Sequence, residues 1–577
     1  MKKENLFELL GDIDEAEVQK AGEIGKDVIR KKKKRHFVGV YGGVAAACLA
    51  LAVGGIWFWQ KVASDEQGQV TSVENKGQGT NATAESEGIA GFAYDSVAEH
   101  TDETGEANGN SVQRLGEWSK EDEGWLSKVT VVNAHMPEPI AKSMSAEEFM
   151  TSNQRNSSVT KEFIAYRQEA SQLADSMDGF YNEIAKKLLA NTEENAVCSP
   201  LNIYLALSLL AETTDGSSRQ QILDFLGVEN IESLRNNVNV LWNSNYVDTP
   251  INKSILANSL WLNENVEFNM ETLERLAEEY HASSFIGDTG SKEMTQGLRS
   301  WTNRATGGLL QKYVQDMQLS PDTILDIVST LYFHAWWYDD FQESATKKET
   351  FHGSKGDTIV DMMHQDLGMV YRSDQVTAVR MLLKTTGSMY FCLPKEGVDV
   401  SQLVAAPEIL GMEQNLRKLN EELEESFSAI EHLDEAEIAE ALENYYEMAT
   451  AKQEEIGWST PIVHASIPKF KVDQKSFLTE LLVAEGITDV LNPETSDFSP
   501  LTNDISKINI GKIEHAATLE IDEKGVTGAA YVEELLMGAG PERAREIIDF
   551  VLDRPFIFVV YSGDGSVLFE GIVRNIE

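Results

Sequence analysis

The sequence predicts an α+β domain preceded by a single transmembrane helix, and three observations carry that expectation. Phe37 to Trp59 is an uncharged apolar run, long enough to cross a bilayer as a helix. Ala63 to Glu117 is rich in Gly, Ser, Thr, Asn and acidic residues and poor in large apolar ones, the composition of a self-repelling stalk. Beyond it the chain mixes helical patterns, as from Met177 to Ala211, with strand-like alternation at Phe556–Tyr561 and Val567–Val573.

Taken in order, residues 1–36 form a cytoplasmic segment, 37–59 the membrane helix, 60–117 the stalk and 118–577 the main domain. Lys31, Lys32, Lys33, Lys34 and Arg35 precede the apolar run and acidic residues follow it, so the basic side stays in the cytoplasm and the large domain lies outside. Trp57-Phe58-Trp59 suits the outer interface. Ala45-Ala46-Ala47-Cys48 weakly resembles a lipoprotein cleavage box, but the apolar run continues past Cys48. Either way the domain is tethered outside. Before the anchor, Leu6, Leu9, Leu10 and Ile13 fall at helical spacing, which fits a solvated helix or a docking peptide for a cytoplasmic partner. Ordered sequence resumes near Trp118–Val131, where Val129, Val131 and Val132 suggest a strand.

Composition narrows the function. A formal net charge of −45 over 577 residues disfavours nucleic acid and anionic lipid as ligands. Three cysteines make no disulfide framework; Cys198 and Cys392 sit in apolar runs and read as buried free thiols. No HExxH, paired CxxC, Walker loop or GxSxG occurs, and no metal or other cofactor is expected.

Several motifs then follow in a fixed order. Asn195-Ala196-Val197-Cys198-Ser199-Pro200-Leu201-Asn202-Ile203 opens a helix, with Ser199 as cap and Pro200 in the first turn. Next come Ala257–Trp261, Trp301-Thr302-Asn303 with Thr306-Gly307-Gly308, Ile327–Trp337, Leu393–Gly397 and Ser466-Ile467-Pro468-Lys469-Phe470. Near the C-terminus, Glu520–Val532 runs through Gly525 into a row of small residues and on to Arg554-Pro555-Phe556. Together, over about 400 residues, this series resembles the serpin family of serine protease inhibitors, and the whole chain resembles a bacterial, membrane-anchored member. The resemblance implies a large central mixed β-sheet, further sheets and about nine helices. The chain departs from the family in an acidic stretch of about 399–458, where Leu416, Leu419, Leu423, Phe427 and Ile430 repeat at helical spacing and suggest an extra helical excursion on the surface.

The resemblance also implies a mechanism and places its residues. A serine protease cleaves a loop, and the loop then enters the central sheet as a new strand, stalling the acyl-enzyme. The chain itself is therefore no enzyme. Its partner is a serine protease, joined to it covalently. Gly525, Val526, Thr527, Gly528, Ala529 and Ala530 match the hinge. Val526, Gly528, Ala530 and Val532 share one strand face and are small or apolar, as entry into a core requires; Glu534 falls on the same face and opposes complete entry. Family spacing puts the reactive bond at Ala539–Gly540, favouring elastase-like or subtilisin-like proteases, with Met537 or Arg543 as alternatives. Ser199, Asn202 and His515 match a polar cluster where strands part, Ser329 replaces the usual asparagine there, and Trp337 matches the aromatic at the loop's point of entry. Two other readings are a non-inhibitory binding domain and a transmembrane sensor of proteolysis.

Overall fold

The computed structural model describes residue 118 and residues 120–136, 158–249, 252–384, 387–430, 433, 435–504, 508, 510, 513–527 and 546–577. The proposed membrane helix, stalk and reactive bond lie outside the described residues. Among those described, no helix is long and apolar enough to cross a membrane.

Three sheets organise the domain. The central one has eight strands, and seven of them run in the order Thr130–Val132, Ala282–Gly287, Asn252–Asn263, Leu325–Trp336, Gly525–Thr527, Glu514–Ile521 and Phe470–Phe477. The eighth, Val247–Asp248, pairs with Asn252–Asn263. The sheet is mixed, because Asn252–Asn263 runs parallel to Ala282–Gly287 and antiparallel to Leu325–Trp336. A second, antiparallel sheet of seven strands includes Ser388–Pro394, Phe556–Tyr561, Val567–Val573 and Ala196–Cys198. The third has four strands: Ile547–Val551, Ile462–Pro468, Gly356–Leu367 and Lys347–Gly353.

The strands of the second sheet differ from the alternation expected of them. Every residue of Phe556–Tyr561 and Val567–Val573 is buried, because both faces of the sheet are covered. The helix Pro200–Thr213 packs on this sheet and is itself buried nearly all round, which its composition PLNIYLALSLLAET anticipates. Pro200 does occupy its first turn, but the hydroxyl of Ser199 makes no cap; its Oγ is buried without a partner. The turn between the last two strands closes on Asp564, which accepts from Ser244 Oγ (2.6 Å) and Asn245 Nδ2 (2.8 Å). Cys198 and Cys392 are buried free thiols.

About nine helices were expected; thirteen α-helices occur among the described residues. Part of the excess comes from the four-residue turns Glu123–Leu126, Gln311–Val314 and Val400–Leu403. The acidic stretch adds two long helices, Pro407–Ile430 and Glu435–Glu455. These pack on each other through Leu419, Leu423, Ile430, Tyr445 and Ala449, a small core of their own, while Leu416 belongs to the main core. Arg417 fastens the first of them to the domain by donating to Ser171 Oγ (2.6 Å), to the carbonyl of Asp564 (3.0 Å) and to Asp175.

Candidate functional site

The strand Glu514–Ile521 ends in a tight turn, and the chain then folds back into the sheet. Asp522 makes the turn, its Oδ1 accepting from the backbone N–H of Lys524 (2.8 Å) and Gly525 (3.1 Å). Gly525–Thr527 then pairs on both sides, with Glu520 opposite Thr527, Ile521 opposite Val526, Gly525 opposite Trp336 and Val526 opposite Ala335. The hinge expected from sequence is therefore a three-residue strand already seated between Leu325–Trp336 and Glu514–Ile521. Among the described residues no other ladder joins those two strands. Below the hinge lies a slot.

Each residue of this small strand has a physical reason to be what it is. A side chain at Gly525 would collide with the backbone of Ala335 and Trp336, so the close approach requires glycine. Val526 is fully buried, on the face expected to enter the core. Trp337, also fully buried, donates its indole N–H to the carbonyl of Asp522 (2.9 Å) and its backbone N–H to Lys524 (2.8 Å), so it clamps the turn from beneath. Glu523 locks the same turn to the third sheet's surroundings through Lys469 (2.6 Å) and Thr346 (2.8 Å). Burial pushes the Glu523 carboxyl up, but those hydrogen bonds outweigh it and hold it below its ordinary value. Asp522 and Glu523 were not singled out from sequence, although the spacing Asp522 to Gly525 is a turn signature.

The four polar residues expected to cluster do meet, at the first turn of the helix Pro200–Thr213. The backbone N–H of Ser199 donates to His515 Nε2 (3.1 Å), which ties the helix to Glu514–Ile521 on one side of the slot. Asn202 Nδ2 donates to the carbonyl of Ser329 (3.0 Å), which ties it to Leu325–Trp336 on the other. The Ser329 hydroxyl is shared between Oδ1 of Asn202 (2.7 Å) and Oδ1 of Asn258 (2.8 Å). Asn258 stands directly opposite Ser329 in the ladder and was missed, because strand register is not written in a sequence. Burial pushes His515 down to about 4, so its Nε2 is a neutral acceptor. One helix start thus bolts both sides of the slot, with one spare hydroxyl, that of Ser199.

A strand seated at the mouth of a slot over such a cluster is the arrangement the motifs led one to expect, and the family comparison agrees with it. A family model described as serpin (serine protease inhibitor) matches residues 175–576. The chain belongs to the serpin family. Serpins are generally protease inhibitors rather than enzymes. This serpin is 26% identical over 403 residues to an uncharacterized serpin-like protein of Methanosarcina acetivorans, covering 68% of this chain and 83% of the relative. It is 26% identical over 411 residues to Serpin-ZX of Arabidopsis thaliana, covering 68% and 95%. The native-state structure of tengpin, a thermophilic serpin, aligns with a TM-score of 0.54 at 20% identity over 77% of this chain and 98% of that one, a likeness in fold.

The other stem of the serpin's loop is anchored quite differently. Ile547–Val551 runs parallel to Ile462–Pro468 along its whole length. Just before it, Glu546 takes a two-pronged ion pair from Arg372 (3.2 and 2.9 Å) and accepts from the N–H of Ile462 (2.8 Å). The remaining hinge residues Gly528, Ala529 and Ala530, and the bond Ala539–Gly540 with its alternatives Met537 and Arg543, lie outside the described residues.

Proposed function

We propose that this serpin is an extracytoplasmic inhibitor of a serine protease, a suicide substrate held at the plasma membrane by Phe37–Trp59. The observation that carries the reading is the hinge strand, already paired in the slot through Gly525 and Val526. The protease's serine oxygen attacks the carbonyl carbon of Ala539. The bond to Gly540 breaks, the new amine leaves with a proton, and an ester joins the two proteins. Strand formation then proceeds from Thr527 down the slot, gaining a ladder hydrogen bond and buried apolar area at each step. The protease is dragged with its ester, its oxyanion hole loses its geometry, and water no longer completes the reaction. The polar bolts between the first turn of Pro200–Thr213 and both sides of the slot suit this role, because they can change partners without leaving a buried group unsatisfied.

The experiment is a panel of elastase-like, subtilisin-like and trypsin-like proteases, read on denaturing gels and by sequencing the released peptide. A complex that survives denaturant, with cleavage after Ala539, is the expected result. Cleavage after Met537 or Arg543 would correct the register. Cleavage with no complex would favour the second reading, a non-inhibitory domain. That reading draws on Glu534, which shares the phase of Val526 and would carry a carboxylate inward opposite Ile327. Anchoring is tested separately: protease added to intact cells should cut between Ala63 and Glu117 and release a soluble domain, and a domain protected from that protease removes the outward orientation.

A further inference from the structure

The family match begins at residue 175, yet Trp118 and Lys120–Met136 are built into the domain. Thr130–Val132 adds an antiparallel strand to the free edge of Ala282–Gly287. Ala134 N–H and His135 N–H continue the attachment through Ser283 Oγ (3.1 Å) and the carbonyl of Ala277 (2.9 Å). Ahead of the strand, Trp125 is buried beside Trp261 and Phe285 and under the helix Lys292–Ala305. Gly297, in the middle of that helix, is the residue that admits it: a Cβ there would come within 2.5 Å of the Trp125 ring. Glycine within a helix costs about 1 kcal/mol against alanine, so the indole's seat repays a local weakness. Arg304 of the same helix stacks over Trp118 at 3.5 Å, and Asp122 accepts from Trp125 Nε1 (3.1 Å) and from Ser300.

The far end of this assembly is fastened too. After the helix, Gly307 presses on Tyr332 of Leu325–Trp336, where an added Cβ would lie 2.8 Å from the ring. The chain then passes on to Lys312 and Tyr313, both of which bind Asp473 on Phe470–Phe477; the lysine lies at 2.9 Å. Tyr332 and Asp473 belong to opposite sides of the slot. Carried down from the hinge, the ladder register brings the strand position two residues beyond Thr527 level with Tyr332 on one side and with Thr518, the partner of Asp473, on the other. The strap therefore crosses the sheet from edge strand to edge strand, just ahead of the seated hinge.

We propose that the N-terminal brace at Trp125 and the clasp of Lys312 and Tyr313 on Asp473 fix the two ends of a strap that sets how fast the loop enters the central sheet. The inference rests on the inhibitory reading above. Seating a whole strand, which occupies about 4.8 Å of sheet width, requires the two sides of the slot to shift against each other, and the strap is bound to both. It therefore resists spontaneous entry of the uncleaved loop and sets the contest between trapping and turnover after cleavage.

Full-length chains carrying Asp473→Asn, Tyr313→Phe or Gly297→Ala test this, with Lys348→Ala on the third sheet as control. Two rates are read: conversion to a heat-stable inserted form without protease, and the ratio of covalent complex to cleaved inhibitor with it. Opening the clasp should raise the conversion rate about tenfold, and Gly297→Ala should raise it several-fold by displacing Trp125. The latter has the opposite sign from helix propensity alone, which would make alanine stabilise the helix and slow conversion. Thermal unfolding of each variant verifies that it is folded. Asp473→Asn and Tyr313→Phe at the wild-type rate, with the wild type trapping protease, overturn the strap alone. A wild type that neither traps nor converts overturns the inhibitory reading and the strap with it.

Discussion

The central sheet and the second sheet are built from similar residues to opposite ends. In the second, Ser388–Pro394, Phe556–Tyr561 and Val567–Val573 are buried at every position and paired on both edges. In the central one, Leu325–Trp336 is half-exposed at most positions, and among the described residues only Ala335 and Trp336 pair on its hinge side. A fully covered, fully paired sheet has no cheap way to move. A strand with half its edge unpaired, over a polar cluster, has somewhere to go. Function sits in the sheet left unfinished.

The sharpest way to break this contrast is Val526→Arg. The variant should retain cleavage but lose the denaturant-stable complex entirely, because the first step down the slot would bury an unpaired charge. Trapping at the wild-type ratio would show that entry does not start at Val526. Phe558→Ala attacks the fixed sheet instead. Phe558 is fully buried and packs against Phe470, so native stability should fall by about 3–5 kcal/mol in denaturant titrations. The complex-to-cleaved ratio of the folded fraction should not change; a shifted ratio would mean that the second sheet also moves.

Acid should loosen the central sheet selectively. His515 is held near 4 in the native state against an ordinary 6.5, so the unfolded chain takes up its proton first. The contribution of neutral His515 is therefore complete above about pH 6.5 and is lost as pH falls towards 4, along with the bond from the Ser199 N–H. Stability measured from pH 7 to pH 4 should decline less in His515→Gln than in the wild type. Equal slopes would remove His515 from the bolt. The smallest effect expected is from Ser329→Ala, about 1 kcal/mol of stability, since Asn202 keeps its bond to the Ser329 carbonyl. A modest rise in spontaneous conversion should accompany it, and a slower conversion would contradict a restraining role for the hydroxyl.

How far the sequence could be read follows from the kind of interaction involved. Gly525 and Val526 were legible because a required close approach and a buried strand face impose residue types directly. Ser199, Asn202, Ser329 and His515 were legible as residues, though the hydroxyl of Ser199 proved to be unbonded rather than a cap. Asn258, Glu523 and Asp473 act through partners more than 40 residues away in sequence, and only the register of the strands brings them together. The helical repeat at Leu416–Ile430 was plain, but its partner helix Glu435–Glu455 was not, because its apolar residues are too evenly spread around it to mark a face. Gly297 gave no signal at all until Trp125 stood against it.

One measurement is already built into the central sheet. With Gly525 opposite Trp336 and Val526 opposite Ala335, every later residue of an entering loop has its partner assigned, and Leu536 falls opposite Leu325, the last position of that strand. Twelve residues of strand are about 40 Å long, so the sheet works as a ruler with its zero at the hinge. A protease bonded to Ala539 hangs only three residues past the end of the scale and is pulled hard against the far pole of the domain. One bonded to Arg543 hangs on seven, with enough slack to keep its shape and finish the cut. The bond that counts is thus chosen twice, once by what fits the protease's pocket and once by length.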